Sequence, residues 1–260
     1  MKKTFAAAAV AVALLSLLPC AAAQADEPRA NGAAAGTYLE RGLASFRRGD
    51  HAAAVQYLDE ALRLDPGNFD ARVFRGGAHL QRGELGRAVA DLDEALRLNP
   101  GSWIARVFRG DAHLRTGELG LAVADFTEAL RLNPNNASAL SGRGDARFRL
   151  GEYDLAVADV TQAILLRPDS AALRSNRGRV HMQRGDYAQA AADLTEALRL
   201  DPGSALSFNA RGVARMRLGK HDEAIADFLD ALRINQNDAA ALRNLEAARY
   251  FLFGADGAGI

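Results

Sequence analysis

The sequence predicts an all-α protein made of repeated helical hairpins, and three observations predict it. Glycines recur at Gly49, Gly83, Gly117, Gly151, Gly185 and Gly219, and again at Gly42, Gly76, Gly110, Gly144, Gly178 and Gly212, each set advancing by 34 residues. Alanines keep the same step at Ala54, Ala88, Ala122, Ala156, Ala190 and Ala224, and at Ala61, Ala95, Ala129, Ala163, Ala197 and Ala231. Prolines close successive units at Pro66, Pro100, Pro134, Pro168 and Pro202, and Gln236 in the sixth place marks the end of the array.

The N-terminal segment reads as an export signal. Lys2 and Lys3 precede an uncharged run from Phe5 to Leu18, then Pro19 and small residues up to Ala25, ahead of Asp26 and Glu27. That order of charge, apolar core and A-x-A site predicts cleavage after Ala25 and a bacterial periplasmic or secreted destination. The apolar core falls short of the roughly 20 residues a membrane span needs, so no stable membrane span is expected. Cys20 follows Leu17 and Leu18 as in a lipoprotein signal, but Pro19 stands where a small residue is required, and lipid anchoring is the weaker reading. Residues 26–34 lack apolar periodicity and are expected to form a flexible leader.

The unit 103–136 shows why each repeat is two helices. Ile104, Val107, Phe108, Ala112 and Leu114 recur mainly at three- and four-residue steps, which defines a helix A. Gly117 can take positive φ at its C-terminus, and Glu118 places negative charge in the first turn of a helix B. Leu119, Ala122, Val123, Phe126, Ala129, Leu130 and Leu132 form the apolar stripe of helix B, which Asn133-Pro134 ends. Gly110 inside helix A costs about 1 kcal/mol in propensity, so close helix contact must offset it, with Ala122 and Ala129 as the expected opposing surfaces. Such a unit cannot bury its own faces alone and must stack on neighbours. The units are 35–68, 69–102, 103–136, 137–170, 171–204 and 205–238. Residues 239–253, with Ala241, Leu242, Leu245, Ala248 and Leu252 at helical spacing, read as a C-terminal capping helix, and 254–260 as a tail.

These small-residue, glycine and proline positions resemble the tetratricopeptide repeat family over nearly all of the chain after residue 25. The aromatic or leucine near the start of helix A is less regular: Tyr38 and Leu140 fit, whereas Arg72, Arg106 and Arg174 depart. The resemblance implies a right-handed α-solenoid, a superhelix whose A helices line a concave face. On that face it would place Phe46, Leu80, Leu114, Phe148, Met182 and Met216, each followed by Arg47, Gln81, Arg115, Arg149, Gln183 or Arg217. An apolar residue beside a cationic or amide one suits an extended peptide, with burial from the first and carboxylate or carbonyl contacts from the second. The alternative for this apolar line is interior packing. Leu39 with Leu43, and Val73 with Gly77, occupy the places of a chaperone-type carboxylate clamp, and Phe74, Phe108 and Gly142 those of a glycosyltransferase asparagine ladder, so neither function is expected.

Chemistry is otherwise sparse. The chain has 260 residues with 32 Lys+Arg and 32 Asp+Glu, a balance that excludes a disordered polyelectrolyte and argues against general nucleic-acid binding. No nucleophile elbow, zinc helix or phosphate loop occurs, and no catalytic residue, cofactor or metal is expected. His79, His113 and His181 share one position of helix A and read as structural groups in the A/B contact. Four Arg-Gly-Asp tripeptides, at 48–50, 109–111, 143–145 and 184–186, follow from repeat geometry rather than adhesion. Arg75, Arg109, Arg143, Arg177 and Arg211 recur with Asp91, Asp125, Asp159, Asp193 and Asp227, predicting a repeated ion pair between helices. The function expected is that of an exported scaffold or adaptor, not an enzyme, binding a protein or extended peptide in envelope assembly or secretion. The rival is a self-assembling structural protein, a homo-oligomer stacked through its terminal helices.

Overall fold

The computed structural model describes residues 27–253. The expected signal segment, its cleavage site and Cys20 lie outside the described residues, as does the tail from Gly254. Thirteen helices and no strand are found among the described residues. They form two compact units, one ending at Leu150 and the other beginning at Gly151.

The first unit holds α1 (Glu27–Arg47), α2 (His51–Leu64), α3 (Phe69–Gln81), α4 (Leu85–Leu98), α5 (Trp103–Thr116), α6 (Leu119–Leu132) and α7 (Ala137–Arg149). The second holds α8 (Tyr153–Leu166), α9 (Ala171–Arg184), α10 (Tyr187–Leu200), α11 (Ala205–Arg217), α12 (His221–Ile234) and α13 (Ala239–Phe253). In both units consecutive helices pack antiparallel. Neighbouring A helices also touch, as α1 does α3, α3 does α5 and α5 does α7 in the first unit, and α9 does α11 and α11 does α13 in the second. No B–B pair packs as closely, so within each unit the A helices make the inner layer and the B helices the outer one.

Residues 27–34, expected as a flexible leader, are helical and continue into the first repeat. The stretch is rich in alanine, the best helix former, and Pro28 lies in the first turn, where no intrahelical N–H is needed. No helix among the described residues is long and apolar enough to cross a membrane.

Local chemistry sets the helix ends. Asn68, Ser102, Asn136, Ser170 and Ser204 each accept a backbone N–H in the first turn of an A helix, and Asp238 does so for α13. The A helices stop at glycines with positive φ, as at Gly117 (φ 86°), where a side chain would be strained. Gly110 meets a different partner from the one expected. A Cβ there would lie 3.0 Å from the Phe126 ring, and one at Gly212 2.6 Å from Phe228. The mid-helix glycines therefore receive a large B-helix side chain, with the alanines closing the contact around it.

Candidate partner-binding face

The predicted ion pair is present and reaches further than expected. Arg75 makes two bonds to Asp91 of its own hairpin, at 2.8 and 2.6 Å, and its third nitrogen donates to Asp59 of the preceding B helix at 2.6 Å. Arg109 repeats this with Asp125 and Asp93, while Arg177 takes Asp193 and the Thr161 hydroxyl. One guanidinium thus ties one A helix to two B helices, and the carboxylate beside it raises the pKa of the Arg75, Arg109 and Arg177 guanidinium groups further. In the last full repeat, Asp227, only 1% exposed, takes both Arg211 and Arg215.

The histidines sit in the same layer. His79 Nδ1 bonds Glu84 at 2.6 Å and its Nε2 lies 3.9 Å from Asp91; His113 does the same with Glu118 and Asp125. These bonds hold Glu84 and Glu118 below the usual carboxylate range. Each joins the last turn of an A helix to the start of its B helix, a structural task. Val55, Asp59, Arg75, His79, Arg87, Ala90 and Asp91 also line a cleft of about 350 Å³ whose Asp59, Arg75, His79 and Asp91 bond one another or Glu84.

Arg72, Arg106 and Arg174, which broke the aromatic pattern, donate to the carbonyls of Pro66, Pro100 and Pro168 at 2.8, 3.1 and 3.1 Å. A guanidinium clamps the inter-repeat turn where the family pattern has an aromatic side chain. No sequence signal pointed to this role.

The expected inner line is buried at three of its six apolar positions. Phe46, Leu80 and Leu114 are buried, so as groove anchors they are corrected to core residues. The reason is close approach: Gly77 has no side chain, and the Phe46 and Phe108 rings pack over it, their centroids 6.2 Å apart. Arg115 and Arg149 donate to the backbone carbonyls of Leu80 and Leu114 on the preceding A helix, at 3.0 and 3.1 Å, and bond Asp111 and Asp145 in their own helices; Arg115 is partly covered and Arg149 stays exposed. Burial pushes Asp111 up despite Arg115. Phe148 is half-buried, Gln81 partly covered and Arg47 exposed.

In the second unit Met182 and Met216 are half-buried, Met216 packing with Val213 against the core of Ala224, Phe228, Leu245 and Ala248, and Gln183 and Arg217 are exposed. Residues 206, 209, 213 and 216 step along one face of α11, and Leu206 at its start is 75% exposed. On α13, Arg243 and Tyr250 are exposed as well, Tyr250 at 56%. The Asn244 amide donates to Asn209 and holds α13 against α11. Leu206 and Arg243 escaped the sequence reading because it followed a single register position per repeat; the three- and four-residue spacing from Met216 back to Leu206 was the available signal.

Charge is segregated in this unit. Its A helices α9, α11 and α13 carry nine arginines and one carboxylate, Glu246, whereas α8, α10 and α12 carry eight carboxylates and two arginines. Arg174, Arg177, Arg184, Arg211 and Arg215 are held by intramolecular bonds. Arg217 and Arg243 are exposed and unpaired among the described residues. Among those residues no group of three or more His, Cys, Asp or Glu side chains could hold a metal ion.

Comparison with known proteins gives one family. The tetratricopeptide repeat matches six overlapping stretches, 6–69, 39–102, 75–137, 109–172, 141–205 and 175–240. No curated protein matches the chain. Among solved structures, the Cut9–Hcn1 hetero-tetramer of the APC/C is similar over 82% of this chain with a TM-score of 0.71 and 22% identity, the match spanning 42% of that longer chain. YrrB, described as a repeat protein with an unusual peptide-binding site, matches 72% of this chain and 96% of its own, with TM-score 0.62 and 22% identity. PilF of Pseudomonas aeruginosa matches 82% of this chain and 97% of its own, with TM-score 0.71 and 16% identity. At these identities the likeness is one of fold.

Proposed function

Because the chain belongs to the tetratricopeptide repeat family, we propose that it is a non-catalytic scaffold that holds an extended, acidic segment of another protein on the A-helix face of its second unit. The segregation of charge carries this reading. Leu206 and Arg217 are exposed near opposite ends of α11, Arg243 and Tyr250 are exposed along α13, and Met182 and Gln183 lie one helix away on α9, so an extended carboxylate-bearing segment with one apolar side chain finds both kinds of contact along this face. The peptide-binding site named for YrrB agrees with this class of function. The Lys-Lys pair, apolar run and Ala-rich site at the N-terminus support export to the periplasm and a place in envelope assembly or secretion.

Fluorescence anisotropy with a set of acidic peptides carrying a single Leu or Phe tests the binding mode. Binding should weaken steeply with salt and fall about tenfold or more in Arg217→Glu and Arg243→Glu. Absence of binding across the set, or binding that both variants leave unchanged, overturns the reading. Fractionation of cells expressing the full chain tests export, which requires a processed protein released with the periplasmic contents.

A further inference from the structure

On the outer surface, five of the six B helices carry an ion pair one turn apart. Glu60–Arg63, Glu94–Arg97, Glu128–Arg131 and Glu196–Arg199 lie 2.8, 2.6, 2.7 and 2.7 Å apart, and Asp230–Arg233 lies 3.0 Å apart. In α8 the same two positions are Gln162 and Leu165. Leu165 is 69% exposed and Leu155 is 48% exposed, with Ala158 and Gln162 exposed between them. Residues 155, 158, 162 and 165 step by three, four and three, the a–d seam by which one helix packs on another. Isolated surface leucines are ordinary, but an uncharged seam on the one B helix that lacks the pair is an organised patch.

We propose that α8 packs antiparallel on α8 of a second copy of this chain, about a two-fold axis near Val160. The seam is matched to itself in that direction. Leu155 meets Leu165 of the partner subunit, and Ala158 meets Gln162 of the partner subunit, small against large. The helix ends select the same direction. Asp154, which accepts a 2.7 Å bond from Arg184 of its own chain and stays 87% exposed, lies at the N-terminal end of α8, and Arg167, unpaired among the described residues, lies at the C-terminal end. Antiparallel pairing brings these opposite charges together at both ends and opposes the two helix dipoles, whereas parallel pairing sets like against like. Four side chains from each copy make a contact smaller than the roughly 1,200–2,000 Å² of a stable complex, so the dimer is a weak one that forms with rising concentration.

Sedimentation equilibrium on the full chain tests this against the double variant Gln162→Glu/Leu165→Arg, which installs the ion pair of the other five repeats; unchanged circular dichroism checks that it folds. The wild type should dimerise with concentration, and the variant should do so at least about tenfold more weakly. On a Cys20→Ser background, Leu155→Cys/Leu165→Cys should oxidise to a covalent dimer, while Leu155→Cys alone should not. A wild type that stays monomeric at every concentration, a dimer indifferent to the double variant, or crosslinking by Leu155→Cys alone overturns the proposal.

Discussion

Arg149 donates a 3.1 Å hydrogen bond to the backbone carbonyl of Leu114, and Arg115 gives the same bond to Leu80 at 3.0 Å. Each carbonyl belongs to the preceding A helix, so these arginines tie neighbouring repeats together on the inner side of the first unit. Arg149→Ala should lower stability by about 1 kcal/mol, below the roughly 1.5–3 kcal/mol of a hydrogen bond to a charged group because the side chain is 43% exposed and screened by water, as read from urea unfolding. A variant as stable as the wild type would mean that the bond contributes nothing.

Asp227→Ala should be among the most damaging single changes. It leaves Arg211 and Arg215 facing a space where a carboxylate 1% exposed had taken both. The expected loss is about 3 kcal/mol, at the low end for a broken buried pair because both guanidinium groups keep partial contact with water. Chemical denaturation measures it, and a loss under about 1 kcal/mol would place this cluster with surface pairs.

Two glycine replacements should have opposite signs. At Gly142 an added Cβ would lie 2.5 Å from Phe126, whereas at Gly86 nothing lies within 4 Å. Gly142→Ala should therefore cost about 1–3 kcal/mol through displacement of the ring, and Gly86→Ala should add about 0.5–1 kcal/mol by lowering the entropy of the unfolded chain. Thermal melts of the two variants decide it, and equal signs would contradict the packing described.

Stability should fall with acidification. Glu118 is held below its ordinary range first by its bond from His113 and then by the Thr116 hydroxyl, and Glu84 first by its bond from His79. A carboxyl depressed in the folded state stabilises it above the unfolded pKa and loses that contribution as pH falls through the folded value. Glu118→Gln should thus melt below the wild type at neutral pH, with the two curves converging at pH values well under about 4. Curves that stay parallel would show that this pair is not linked to folding.

Much of the fold was legible because a repeat states its constraints six times. Gly117 had to close a helix whatever surrounded it, and the Arg75–Asp91 spacing placed both groups at the A/B contact. The inner face was less legible, since one register position had two fates. Leu80 and Met182 are equivalent in sequence, yet Leu80 is buried and Met182 is half-buried at the surface. The three arginines at the aromatic position looked like departures until their turn-carbonyl partners were seen.

The sequence by itself determined the class of protein: helix lengths, turns and the ion-pair register follow from local propensity and from a period of 34 residues, which act through near neighbours in the chain. The tertiary structure decided which side chains remain available to a partner. Availability depends on how closely the next helix approaches, and at Gly77 that approach is set by the rings of Phe46 and Phe108, each about thirty residues away in the chain.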